Sequence, residues 1–121
     1  MSQIHNEFKL FTHAYTSVAS ITELAGKVEA WVKSESVAPK SIGIEYLEGS
    51  KAVLISLGYT RQEPHAVKLI AESIGKIDVG GDLSAIEKKM GSFADHHKNV
   101  ICHELIVTEN NDLITVLMVK A

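Results

Sequence analysis

One pattern occurs twice in the chain. An amphipathic stretch with a serine and, three residues on, a glutamate at its start begins at Ser20 and Glu23, and again 64 positions later at Ser84 and Glu87. Each time it is followed by two runs of alternating side chains split by a short polar turn. A serine and a glutamate at that spacing make a capping box, which satisfies backbone amides that the first turn of a helix leaves free. The first helix carries Ile21, Leu24, Ala25, Val28, Trp31 and Val32 on one stripe; the second carries Ile86, Met90, Phe93, Ala94 and His97.

The runs behind the helices have the period of strands. "SIGIEYL" and "KAVLISLGY" are divided by "EGS", and "VICHELIVT" and "DLITVLMVK" by "ENN", the arrangement of two hairpins. "NEFKLFTHAY" precedes the first helix and leans to strand through its aromatic residues. "HAVKLIAESIGKI" fits both periods, but it holds the place of the first strand in a second copy of the unit, and is read as a strand on that ground. The expectation is one domain over residues 1 to 121, built from strand, helix, hairpin at about 6 to 60 and again at about 66 to 120. Its fold class would be α+β, a two-layer sandwich of a mainly antiparallel sheet of about six strands with two helices on one face.

Two tandem units of this order are similar to the small-molecule-binding domains of the gyrase-inhibitor-like type, and partly resemble ferredoxin-like sandwiches. The likeness covers most of the chain as topology and involves no sequence motif, so it bears on the fold and adds little about function.

A chain of 121 residues with 45% hydrophobic and 22% charged residues can bury a core without disulfides or metals. Its formal charge of −3 comes from 12 basic and 15 acidic residues without a basic block, which argues against nucleic acid as a partner. No run of 18 apolar residues suggests a membrane span, and "MSQIHNEFKLFTHAYTSV" lacks the pattern of a secretory leader. Cys102 is the single cysteine and cannot pair within the chain. A cytoplasmic protein is expected.

The densest chemistry lies in "HHKNVICHE", residues 96 to 104. On a strand, Ile101, His103, Leu105 and Val107 share one face, and Cys102, Glu104 and Ile106 the other. His97, on the inner stripe of the preceding helix, could then meet His103, with Asp95 or His96 at the rim. That makes His97, His103 and Glu104 the candidates for acid-base catalysis, against a reading of the histidines as hydrogen-bonded structural groups. His96, His97 and His103 would supply imidazoles to a metal, but no ligand motif accompanies them, so no metal is assigned and any cofactor is unknown. On the opposite face, Glu45, Tyr59, Cys102 and Glu104 are the candidate ligand-binding set, near Ser56 and Gly58 if the strands adjoin. Cys102 as a nucleophile would need a base that His103, pointing away, does not provide. "GKIDVGGDLSAIE" offers glycines and a helix N-terminus for an anion, but matches neither phosphate-loop pattern, and Asp82 occupies the approach.

"LITVLMV" is apolar on both faces, as is "VLISL". If helices cover one face, a second copy packing on the other would explain the pattern, so a homo-oligomer through the apolar sheet face is expected. The functional expectation is an oligomeric domain that binds a small molecule on the sheet or at a subunit interface. An enzyme using histidine and glutamate chemistry, or an interaction module without a ligand, are its rivals.

Overall fold

The computed structural model describes residues 5–121. Residues 1–4, the start of the segment weighed above as a leader, lie outside the described residues. The elements run β1 (Glu7–Ala14), α1 (Val18–Glu35), β2 (Ala38–Leu47), β3 (Ala52–Thr60), β4 (Val67–Lys76), α2 (Ser84–Asp95), β5 (Val100–Val107) and β6 (Asp112–Lys120). This is the α+β sandwich of two β-α-β-β units expected from the sequence. The ambiguous segment is strand β4; the first hairpin turns through a short 3-10 segment, Glu48–Ser50, and the second through a left-handed turn at Glu109–Asn111. Asn110 and Asn111 adopt φ of 64° and 60°, a left-handed conformation that asparagine tolerates better than most residues.

The six strands divide into two antiparallel three-stranded sheets, ordered β1-β3-β2 and β4-β6-β5. The edge strands β2 and β5 run close to each other where the sheets meet. The helices do not share one face. α1 presents Ile21, Leu24, Ala25, Val28 and Val32 to a central core that takes Ile42 and Ile44 from β2, and Ile114, Val116 and Met118 from β6. α2 lies on the other face of the second sheet, where Phe93 packs with Leu117 and Val119 and against Ile70. Alternation along β6 therefore sends its two apolar sets into two cores of the same chain. The both-sided pattern that suggested a second copy is met intramolecularly, because two sheets and a helix enclose what one sheet would have left open.

Both helix starts differ from expectation. α1 begins a turn earlier, with Ser17 as its cap and Ser20 reaching back to the Thr16 and Ser17 amides at 3.0 and 3.4 Å, rather than with the Ser20–Glu23 box. Val18 packs against the central core, which favours the longer helix. α2 has no Ser84–Glu87 box: Asp82 Oδ1 accepts from the Ser84 amide at 2.9 Å. A carboxylate is the stronger acceptor there, and this bond holds the Asp82 carboxyl below its ordinary range.

Two contacts tie the units together. Glu29 Oε2 of α1 accepts from the Leu69 amide on the outer edge of β4 at 2.9 Å, closing part of a strand edge that would otherwise be bare. Replacing Glu29 by alanine is expected to cost ~1–2 kcal/mol in a urea unfolding series, with glutamine retaining part of the loss. At the opposite end, Tyr46 of β2 stacks edge-on to Tyr15 at 5.4 Å, and its phenol is pushed up to about 12, first by a hydrogen bond to Glu109. The folded state holds this proton more tightly than the unfolded chain does, so the contribution is present below pH 10 and disappears between pH 10 and about 12. A tyrosinate absorbance titration should show the Glu109→Gln variant returning one phenol toward 10.

Candidate functional site

Register decides which of the suspected residues meet. On β3, Leu54, Ser56 and Gly58 alternate with the core residues Ile55, Leu57 and Tyr59, and they face the solvent side of the first sheet with Ser41, Gly43 and Glu45 of β2. Phe8 and Leu10 of β1 lie opposite Gly58 and Ser56 on the same side. At the β2 margin of this face, where β5 approaches, Glu45, Gly43, Leu54 and Ser56 line a cavity of about 290 Å³ that Glu104 of β5 completes. Gly43 is required for its shape: a β-carbon there would stand 2.8 Å from Ser56 Oγ.

Of the four candidate ligand-binding residues, Glu45 and Glu104 share this cavity, while Cys102 packs against the central core. Burial pushes the half-buried Cys102 thiol above its ordinary pKa, a hydrogen bond to the Ile42 backbone opposes that, and the nearby Glu104 charge adds to it. A thiol so held is a poor nucleophile. Iodoacetamide should modify Cys102 more slowly in the native protein at pH 8 than after denaturation; equal rates would remove this reading. Tyr59 does not belong to the site. It is 6% exposed on the opposite side of β3, edge-on to Trp31 at 5.1 Å with the Arg61 guanidinium over its ring. Gly58 faces the site side of β3, and Tyr59, the next residue on the strand, faces the opposite way.

The three catalytic candidates are not brought together. His103 shares a hydrogen bond with Thr115 Oγ1 on β6, while His97 sits edge-on to Phe93 at 5.2 Å beneath α2. Glu104 points to the other face of β5 from His103. His96 Nδ1 is held by the Ser92 carbonyl at 2.5 Å. Among the described residues no three His, Cys, Asp or Glu side chains converge as metal ligands. "HHKNVICHE" thus divides into a helix end, a bulge between Val100 and Cys102, and a strand whose two faces serve different surroundings.

The glycine segment before α2 makes a turn, with the Gly81 amide on the Asp78 carbonyl and Gly80 at φ +83°. Asp82 supplies the carboxylate at the helix start, in the position an external anion would take. A larger cavity than the carboxylate site, about 680 Å³, opens between α2 and β4 and includes His96 and His97. Sequence reasoning missed it, because a cleft between two elements leaves no signature in either. No helix among the described residues is long and apolar enough to cross a membrane. Compared with protein families, curated proteins and solved structures, the chain matches none.

Proposed function

We propose that this protein binds a small molecule at the junction of its two sheets, through Glu45 and Glu104. One observation carries the proposal: carboxylates from equivalent hairpins of the two units line one cavity, and among the described residues neither has an ion-pair partner. Like charges placed together without a counterion favour any ligand that brings one. The lining groups with polar side chains, Glu45, Glu104 and Ser56, are rich in acceptors, so the ligand should present a cation or several donors. Leu54 and the backbone at Gly43 offer it an apolar wall and a close approach.

The test is a thermal-shift screen of small molecules at low ionic strength, with the Glu45→Gln, Glu104→Gln double variant as counter-screen. Cationic or donor-rich compounds should stabilise the native protein and not the variant. Stabilisation only by anionic compounds, or by compounds indifferent to the double variant, would overturn the proposal.

Phe8 and Leu10 support a second element of this reading, a homo-oligomer through the outer face of the first sheet. They are 70% and 62% exposed on one strand, beside a floor of Gly43, Ser56 and Gly58. Such a patch is the usual mark of an interface, and a second copy seated there would place the ligand cavity at a subunit boundary. The Phe8→Ser, Leu10→Ser variant is expected to be monomeric by native mass spectrometry where the parent is dimeric; a parent that is monomeric throughout would remove this element.

A further inference from the structure

The geometry points to a second binding site, in which an extended peptide segment adds a strand to the free edge of β4, within the cleft under α2. β4 is an outer strand of its sheet, so one side of its backbone has no neighbouring strand. The phase of that side is fixed by Glu29. The Leu69 amide points away from β6 to meet this carboxylate, and in an antiparallel ladder backbone groups alternate in direction from residue to residue. The amides and carbonyls of Ala71 and Ser73 therefore also point outward. Among the described residues they make no hydrogen bond beyond their own strand pairing.

Those two residues line the 680 Å³ cleft, whose far wall is α2. A segment laid along β4 would find what strand addition needs: unpaired backbone for affinity, and a cleft against α2 that receives side chains from one face of the segment for selectivity. Ile70, Ile74 and Phe93 supply an apolar floor. Lys89, His96 and His97 stand along the helix side, against one acidic residue of the lining, Glu72. This balance selects a segment carrying a carboxylate, either an acidic side chain or a chain terminus, directed to Lys89. Glu29 already occupies the outward amide at Leu69, and Ser17 and Val18 at the start of α1 line a cavity with Ser73, so α1 bounds the docked segment at both ends of this stretch and leaves it the side of the edge that faces α2. The site is separate from the carboxylate cavity at β2 and β5, and does not depend on that reading.

The probe is a display library of random ten-residue peptides with free C-termini, selected on the full chain. Enriched peptides should alternate apolar residues and include a carboxylate beside them; synthesised with free and amidated ends, they distinguish a terminal from a side-chain carboxylate. Amide exchange followed by NMR should show Ala71 and Ser73 protected when peptide is bound. Ala71→Pro removes an outward amide without touching the ladder to β6, a position where proline is compatible with an edge strand. Lys89→Glu reverses the exposed rim charge. Each is expected to weaken binding at least tenfold while thermal unfolding of the free protein stays close to that of the parent, and Lys89→Glu alone decides the matter if Ala71→Pro fails to fold. Three results would overturn the inference: no enriched sequence, binding unaffected by Lys89→Glu, or protection of Ala71 that rises with protein concentration without peptide. The last would assign the edge to a second copy of this chain.

Discussion

Truncating Met118 to alanine is expected to destabilise the protein by ~2–5 kcal/mol, and by the same amount at every protein concentration. Met118 is wholly buried in the middle strand of the second sheet, between Leu69 of β4 and Cys102 of β5 in register. It faces the central core beneath α1. The loss combines the transfer of the side chain with the cavity left behind, since flanking strands cannot collapse into the gap without breaking their ladders. Leu117→Ala, one residue earlier, tests the other face: Leu117 is equally inaccessible but packs in the smaller core with Phe93. Leu105→Ser on the neighbouring strand is a control, since Leu105 is 42% exposed and should change stability by no more than ~0.5 kcal/mol. Urea midpoints measured at concentrations roughly a hundredfold apart separate intramolecular burial from burial by a partner, because only the second follows mass action. A loss at Met118 or Leu117 that deepens on dilution would return those faces to an interface between copies.

The second large effect is on binding. For a cationic compound found by the screen, the Glu45→Gln, Glu104→Gln double variant should bind more weakly by about two factors of ten, which is ~3 kcal/mol. Each single variant should lose less than half of that, since one remaining carboxylate still attracts the ligand and neighbouring charges do not act additively. Stability should move the other way. Removing one of two like charges at a shared cavity relieves their repulsion, so Glu104→Gln is expected to match or slightly exceed the parent in a urea series. Opposite signs for binding and stability would mark these carboxylates as functional groups. A variant that loses both together would instead show that they hold the junction of the sheets. Gly43→Val offers a steric check, because the added side chain meets Ser56 Oγ, the free end of a rotatable group, and should occupy the cavity at small cost to the fold.

The candidate site was half legible in the sequence. Glu45 and Glu104 fall on corresponding strands of the two units, Glu45 on the polar phase of β2 and Glu104 on a phase of β5 that mixes polar and apolar groups. Their meeting depended on β2 and β5 adjoining, which pattern does not report. Tyr59 was misassigned through chain proximity, and His97 with His103 through the supposition that a helix end overlies the strand that follows it. In the fold, α2 leans instead toward β4, so His97 rests on Phe93 and His103 turns to Thr115.

Local periodicity determined the elements, their order and most inward stripes, because burial on one side of a helix or strand is written at intervals of 3.6 or two residues; β5 is the exception, where the apolar-looking face of Leu105 and Val107 is exposed and Ile106 of the opposite face enters the central core. The repeat determined that β4 is a strand where its own pattern allowed a helix. Tertiary structure alone decided that six strands form two sheets, that the helices take different faces, and that β6 is enclosed by its own chain. Alternation records that both faces of a strand are apolar, but the groups that cover them come from residues far away in sequence, and their identity is fixed only when the sheets and helices pack.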